Sequence, residues 1–243
     1  MPSLQICAGG WNRRGTPVRL IWDQLIPEGA CPLRARVIAG LVAGAAVLAG
    51  SPGGVLAHAG TAATWTLSPG GAATAKAIAG TLTLTDTSTG AVGTCTSSKV
   101  TGTVKGGSGL SGHDIGTVTT AAFGRCAALG SVPLTVTASG LPWRISFNSY
   151  NPRTHVVLGT VTGVKVALTG ICGAVVNGSS GPAGDGLVSA VYNDQVGELT
   201  FVTSGSNLHY WHVNKCHQLI NDGDPVALTA SYMVRPIQDI TSP

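Results

Sequence analysis

The chain has 243 residues, with 35 Gly, six Cys and few aromatics, and only 10% of its residues are charged. Its formal charge of +4 lies mostly in the first 59 residues, because Gly60–Pro243 carries nine Lys/Arg against eight Asp/Glu. A near-neutral body of 184 residues excludes the clustered basic face that nucleic-acid binding requires, and is long enough for one large domain or two small ones.

Residues 1–32 have no clear periodicity and include Arg13, Arg14, Arg19, Asp23, Glu28, Cys7 and Cys31. They stand ahead of an export signal and read as a disordered start-site extension, with natural initiation near Leu33. The signal occupies 33–59. Arg34 and Arg36 form a positive n-region, Val37–Leu48 is an apolar h-region, and Ala57-His58-Ala59 is an A-x-A cleavage site. The apolar run falls short of the roughly 20 residues that a membrane-spanning helix needs. The expected product is therefore secreted, with an uncleaved N-terminal apolar helix as the alternative and the only route to membrane contact.

The secreted part, 60–243, is rich in Thr and Val, which favour strands, and in Gly and Ser, which favour turns. Alternation is its main signal. Thr81–Thr85 puts leucines on one face and threonines on the other, and Leu134–Ala138, Val164–Leu168 and Val226–Ala230 repeat the pattern. Further strands are expected near 62–67, 98–105, 114–123, 155–162, 172–176, 186–192, 197–203, 208–213 and 230–235. Turns are expected at Asp86–Gly90, Gly106–Gly109, Asn193-Asp194 and Asn221–Pro225. The best helix candidate, Ala72–Ala79, is small and weakly patterned. The fold class is thus all-β: a disulfide-stapled antiparallel β-sandwich or barrel.

A faint repeat divides the body into units 60–140 and 141–243. Cys126 is followed by Pro133–Ser139 (PLTVTAS), and Cys216 by Pro225–Ser231 (PVALTAS). Arg125 and Lys215 each stand one residue before these cysteines. Cys95, Cys126, Cys172 and Cys216 form an even set, as expected of disulfides in an exported protein. Three pairings are open, and the repeat implies Cys95–Cys126 and Cys172–Cys216. No Cys-x-x-Cys spacing occurs, so neither a metal site nor a cofactor is expected.

Chemistry is sparse. The only histidine cluster is His209, His212 and His217, beside Tyr210 and Trp211. On a regular strand His209 and Trp211 share one face while Tyr210 and His212 share the other, so the two histidines cannot ligate one ion. His209, Tyr210, Trp211 and His212 are the candidate ligand-contacting surface, for a sugar or another small molecule. No Gly-x-Ser-x-Gly elbow is present, His113-Asp114 is adjacent on a turn, and the acidic residues fall in turn-like contexts. Asp222 and Asp224 lack the repeated acidic spacing of a calcium loop. Thr-x-Thr pairs recur at irregular intervals.

Trp65–Gly71, Thr94–Ser98, Gly107–Gly112, Gly140–Trp143 and Ile240–Pro243 together resemble segments of a group of exported actinobacterial proteins, Gly/Thr/Ala-rich and four-cysteine. The resemblance implies secretion and carries over no catalytic residue. The resulting expectation is a secreted or wall-associated, non-catalytic binding or structural surface whose partner would be an extracellular polysaccharide. A small-ligand binder with a cleft near Trp211, and a hydrolase with a nonstandard site, are the alternatives.

Overall fold

The computed structural model describes residues 64–170 and 172–242, and every regular element in them is a strand. The extension, the export signal, Cys7 and Cys31 lie outside the described residues.

Twelve strands form one closed antiparallel sheet, a barrel of eight staves in which each stave pairs with its neighbours in sequence. The first stave is β2 (Gly71–Ala77) continued by β3 (Leu82–Asp86). Next come β4 (Val92–Val104) and β6 (Gly116–Ala128). The fourth stave is β7 (Val132–Ser139) with β8 (Trp143–Asn151), and the fifth is β9 (Val156–Gly170). The sixth is β10 (Gly173–Gly178) with β11 (Gly186–Asn193), and the seventh is β12 (Glu198–Val202) with β13 (Leu208–Asn214). β14 (Val226–Arg235) closes the ring on both halves of the first stave, with Val226 opposite Asp86 and Tyr232 opposite Ala77.

Period-two alternation explains the two faces. Leu82 and Leu84 point inward, while the Thr83 hydroxyl meets that of Thr229 outside at 2.6 Å. Val188, Ala190 and Tyr192 of β11 are buried, as are Val164, Val166 and Leu168 of β9. The windows 155–162 and 164–168 are one strand. Gly163, at φ +76°, inserts a bulge that moves the inward phase from odd to even positions. Gly140-Leu141-Pro142 similarly interrupts the fourth stave, so the junction between the repeat units is a bend within one shared sheet. Four of the eight staves are broken in this way, and such breaks let strands coil around a narrow interior.

The weak helix candidate Ala72–Ala79 mostly forms β2, because its alanines and Lys76 pair in register with β4 and β14. The expected turn at Gly106–Gly109 extends into a short strand, β5 (Gly107–Leu110). β5, β1 (Trp65–Ser68) and β15 (Asp239–Thr241) form a separate three-stranded sheet, ordered β15-β1-β5. Leu67 and Ile240, each 1% exposed, and Trp65 pack with Ile115, Val157 and Tyr192 of the barrel. This sheet is a lid over one mouth. Gly112 lets the lid approach closely, since a Cβ there would lie 2.7 Å from the Trp65 indole nitrogen.

Both disulfides lie at the opposite mouth. Cys95–Cys126 joins β4 to β6 at directly opposed positions, and Cys172–Cys216 joins the start of β10 to the segment after β13. These are the pairs that the repeat implies. Arg125 and Lys215 both adopt left-handed backbone, at φ 51° and 59°, so the residue before each later cysteine makes the same local turn. The bridges suit an oxidising compartment. Among the described residues no helix is long and apolar enough to cross a membrane.

Candidate functional site

The barrel interior is where the fold concentrates apolar surface and leaves space. A cavity of about 60 Å³ lies toward the disulfide mouth, lined by residues such as Leu82, Cys95, Val136 and Val176. A second, of about 110 Å³, lies toward the lid, among Val104, Ile145, Phe147, Val157, Ala190 and Ile240. Val100, Val118, Val161, Phe201 and Tyr232 line both, so these side chains stand between the two cavities. Each of these residues reaches the interior through strand alternation, and Phe201 and Tyr232 pack edge to face, 5.6 Å apart.

Polar groups at this surface are tied off by the protein itself. The Tyr232 hydroxyl donates to Ser98 Oγ at 3.1 Å. The Tyr192 hydroxyl accepts from the Gln238 backbone N–H at 2.9 Å and donates to the Gln238 carbonyl at 3.2 Å, which ties the lid to β11. Burial pushes the Tyr232, Tyr192 and Tyr210 hydroxyls above the ordinary tyrosine range. For Tyr210, the nearby Asp86 and Asp224 add to that effect. For Tyr232, the Ser98 hydrogen bond opposes it. The cavity walls are therefore largely apolar, and burial holds the tyrosine hydroxyls beside them in their neutral form.

The residues singled out on β13 do not converge. His209 and Trp211 face outward with their rings stacked, 6.4 Å apart and inclined by 27°. Trp211 Nε1 donates to the Gly178 carbonyl at 3.0 Å, which fixes the indole against the stave. Tyr210 points inward and is buried. His212 is exposed, and its left-handed backbone at φ 53° takes it out of the strand's alternation. Only His209 and Trp211 therefore share a surface.

His113 and Asp114 are exposed on their turn, where Asp114 makes a long 3.8 Å contact to Arg144. Among the described residues no three His, Cys, Asp or Glu side chains converge on a point. The Thr-x-Thr pairs become cross-strand hydroxyl ladders on the barrel exterior. Thr101 meets Thr120 at 2.6 Å and Thr103 meets Thr117 at 3.0 Å. Exposed Lys76 and Lys99 pair beside Thr101, so this part of the exterior is polar, unlike the outward apolar band of a lipid-facing barrel.

Alternation marks Val100, Val118, Val161, Phe201 and Tyr232 as inward-facing. It carries no measure of how completely side chains fill the ring they line, and that unfilled volume is the site's defining property. Asp86 and Asp194 stand at the expected turns, but their burial was not legible. Asp86 is 0% exposed, and Asp194 is buried with its Oδ1 3.2 Å from His155 Nδ1. No family model, curated protein or solved structure matches this chain.

Proposed function

We propose that the protein is a secreted, non-catalytic barrel that binds a small apolar molecule in its interior. The observation that carries this reading is the pair of neighbouring cavities walled by aliphatic and aromatic side chains. An empty void of about 110 Å³ costs about 2–3 kcal/mol in lost packing, a large part of a domain's net stability. An occupant recovers that loss. Engineered dry cavities of about 150 Å³ take up benzene or xenon, so the ligand is no larger than a single ring or a short alkyl chain seated in the larger cavity. Export is supported by the signal at 33–59 and by the two disulfides.

The test is thermal unfolding of the secreted protein with and without benzene or short alkanes, alongside native mass spectrometry of the protein as isolated. The melting temperature is expected to rise with ligand. Ala190→Leu and Ala75→Val, which fill the larger cavity from two different staves, are expected to abolish the rise. Equal melting temperatures with and without every probe would exclude interior binding.

The stacked His209–Trp211 pair supports a second reading, contact of the outer wall with an extracellular polysaccharide. Trp211→Ala would then abolish polysaccharide pull-down while leaving the benzene response intact. Glycan arrays negative for the parent protein would remove this reading.

A further inference from the structure

The outer wall of the barrel is electrostatically one-sided. β2, β4, β6, β7, β8 and β9, which run consecutively from the first stave to the fifth, carry Lys76, Lys99, Arg125, Arg144 and Lys165 and no Asp or Glu. β3 completes the first stave, and its one acid, Asp86, is wholly buried. A near-neutral total charge hides this asymmetry, because the acids of the barrel stand mostly between strands.

Positive charge is most concentrated where β2 meets β4, since Lys76 stands directly opposite Lys99. Their neighbours Ala75, Ala77 and Val100 pack on the core, so strand alternation turns both lysines outward, and both are exposed. Like charges on directly opposed residues destabilise a sheet. In the same row Met233 of β14 lies opposite Lys76 and Ala122 of β6 lies opposite Lys99. Glu198 of β12 is opposite Met233, one strand farther on, and bounds the row. Among the described residues the ion pairs are Arg144–Asp114 and His155–Asp194, and neither includes these lysines. Beside the lysines, Thr74, Thr101 and Thr120 are in register, and Thr103 opposite Thr117 follows. The Thr101–Thr120 and Thr103–Thr117 hydroxyls pair at 2.6 and 3.0 Å.

We propose that this outer face of β2, β4 and β6 binds a carboxylate-bearing extracellular polysaccharide, a polyuronate. Lys76 and Lys99 take carboxylates, as point charges on flexible stems. The threonine hydroxyls lie against the sugar hydroxyls, because each keeps hydrogen-bonding capacity beyond its cross-strand partner. Two ammonium groups followed by neutral hydroxyls match a chain with one charge on each sugar. Duplex nucleic acid, with one charge per about 1.7 Å, calls for a denser stripe of cations. The face is distinct from the barrel interior and from the His209–Trp211 pair on β13, so it is independent of both readings above.

The test is binding of the secreted protein to immobilised polygalacturonate, with dextran as the uncharged control and duplex DNA as the competing polyanion. Polygalacturonate is expected to retain the protein at low salt and to release it by about 0.5 M NaCl, where screening shortens the reach of exposed charges. Lys76→Gln with Lys99→Gln should weaken retention about tenfold, as loss of two exposed ion pairs allows. These surface changes should keep the parent's cooperative melt and its benzene response. Trp211→Ala should leave retention on polygalacturonate unchanged, which separates this face from the β13 wall. No retention, equal retention on dextran, or full retention of the double lysine variant would each overturn the proposal. Tighter binding to duplex DNA than to polygalacturonate would assign the face to another polyanion and also overturn it.

Discussion

The two mouths of the barrel are closed by different physics. At one, Cys95–Cys126 and Cys172–Cys216 tie staves together covalently. At the other, a lid made from the start and end of the described chain, β1 and β15, with β5 beside them, is held by packing and by the Tyr192–Gln238 hydrogen bonds. The covalent mouth is as strong as the compartment is oxidising. The packed mouth depends on no redox condition, and it can lift without any covalent bond breaking. The larger cavity lies next to the lid, so ligand exchange is expected there.

Removing the bridges is the largest perturbation of this contrast. Sequence separations of 31 and 44 residues give about 3.7 and 4.0 kcal/mol per bridge in the chain-entropy estimate. Each is comparable to a large part of a domain's net stability. A chain with the four bridged cysteines replaced by alanine is expected to be unfolded or nearly so at 37 °C, read by near-ultraviolet circular dichroism. A cooperative melt within a few degrees of the parent would show that barrel closure alone carries the stability.

Trp65→Ala strikes the other mouth. Trp65 is buried and packs its ring on Phe147 at 5.2 Å, and truncation of such a residue costs about 3–5 kcal/mol. The expected loss is local. Hydrogen exchange should quicken in β1, β5 and β15 while β4 and β6 stay protected, and the exchange of a bound apolar probe should accelerate. Uniform loss of protection in all strands would show that the lid and barrel form one cooperative unit and would end the idea of a separable lid.

How much of this was legible in the sequence follows the same divide. The staves were legible because alternating Leu/Thr and Val/Thr patterns report one dry face and one wet face. Thr81–Thr85 and Val226–Ala230 behave as their patterns state. β8 was missed although Trp143–Phe147 alternates apolar and polar residues, and β15 was not legible. Trp143-Arg144-Ile145-Ser146-Phe147 follows directly on the Gly-Leu-Pro bend, and Asp239–Thr241 is three residues long. β5 reads as a turn because Gly107-Ser108-Gly109 has no apolar side chain to pattern, and it becomes a strand only because β1 pairs with it. The site was less legible than the fold. His209 and Trp211 were correctly placed on one face, but the cavity depends on the volume left by residues from all eight staves.

The tyrosines give the smallest effects and the sharpest comparison of the two mouths. Tyr210 sits at the disulfide mouth and Tyr192 at the lid, and burial raises both hydroxyls above an unfolded value of about 10. The folded state therefore holds these protons more tightly than the unfolded chain. Their contribution is fully present below pH about 10 and is lost as pH climbs through the folded values. Stability measured by denaturant midpoint should be flat from neutral pH to about 10 and then fall. Tyr192→Phe should cost about 1–2 kcal/mol at neutral pH, because it deletes both hydrogen bonds to Gln238 and leaves the backbone groups of the lid unpaired. Tyr210→Phe should be close to silent at neutral pH and should move the alkaline fall upward, since it removes a buried acid without disturbing the lid. Should Tyr210→Phe instead be the costlier change at neutral pH, the Tyr210 hydroxyl would have a structural role at the disulfide mouth, and the two ends would no longer divide into covalent and hydrogen-bonded closure.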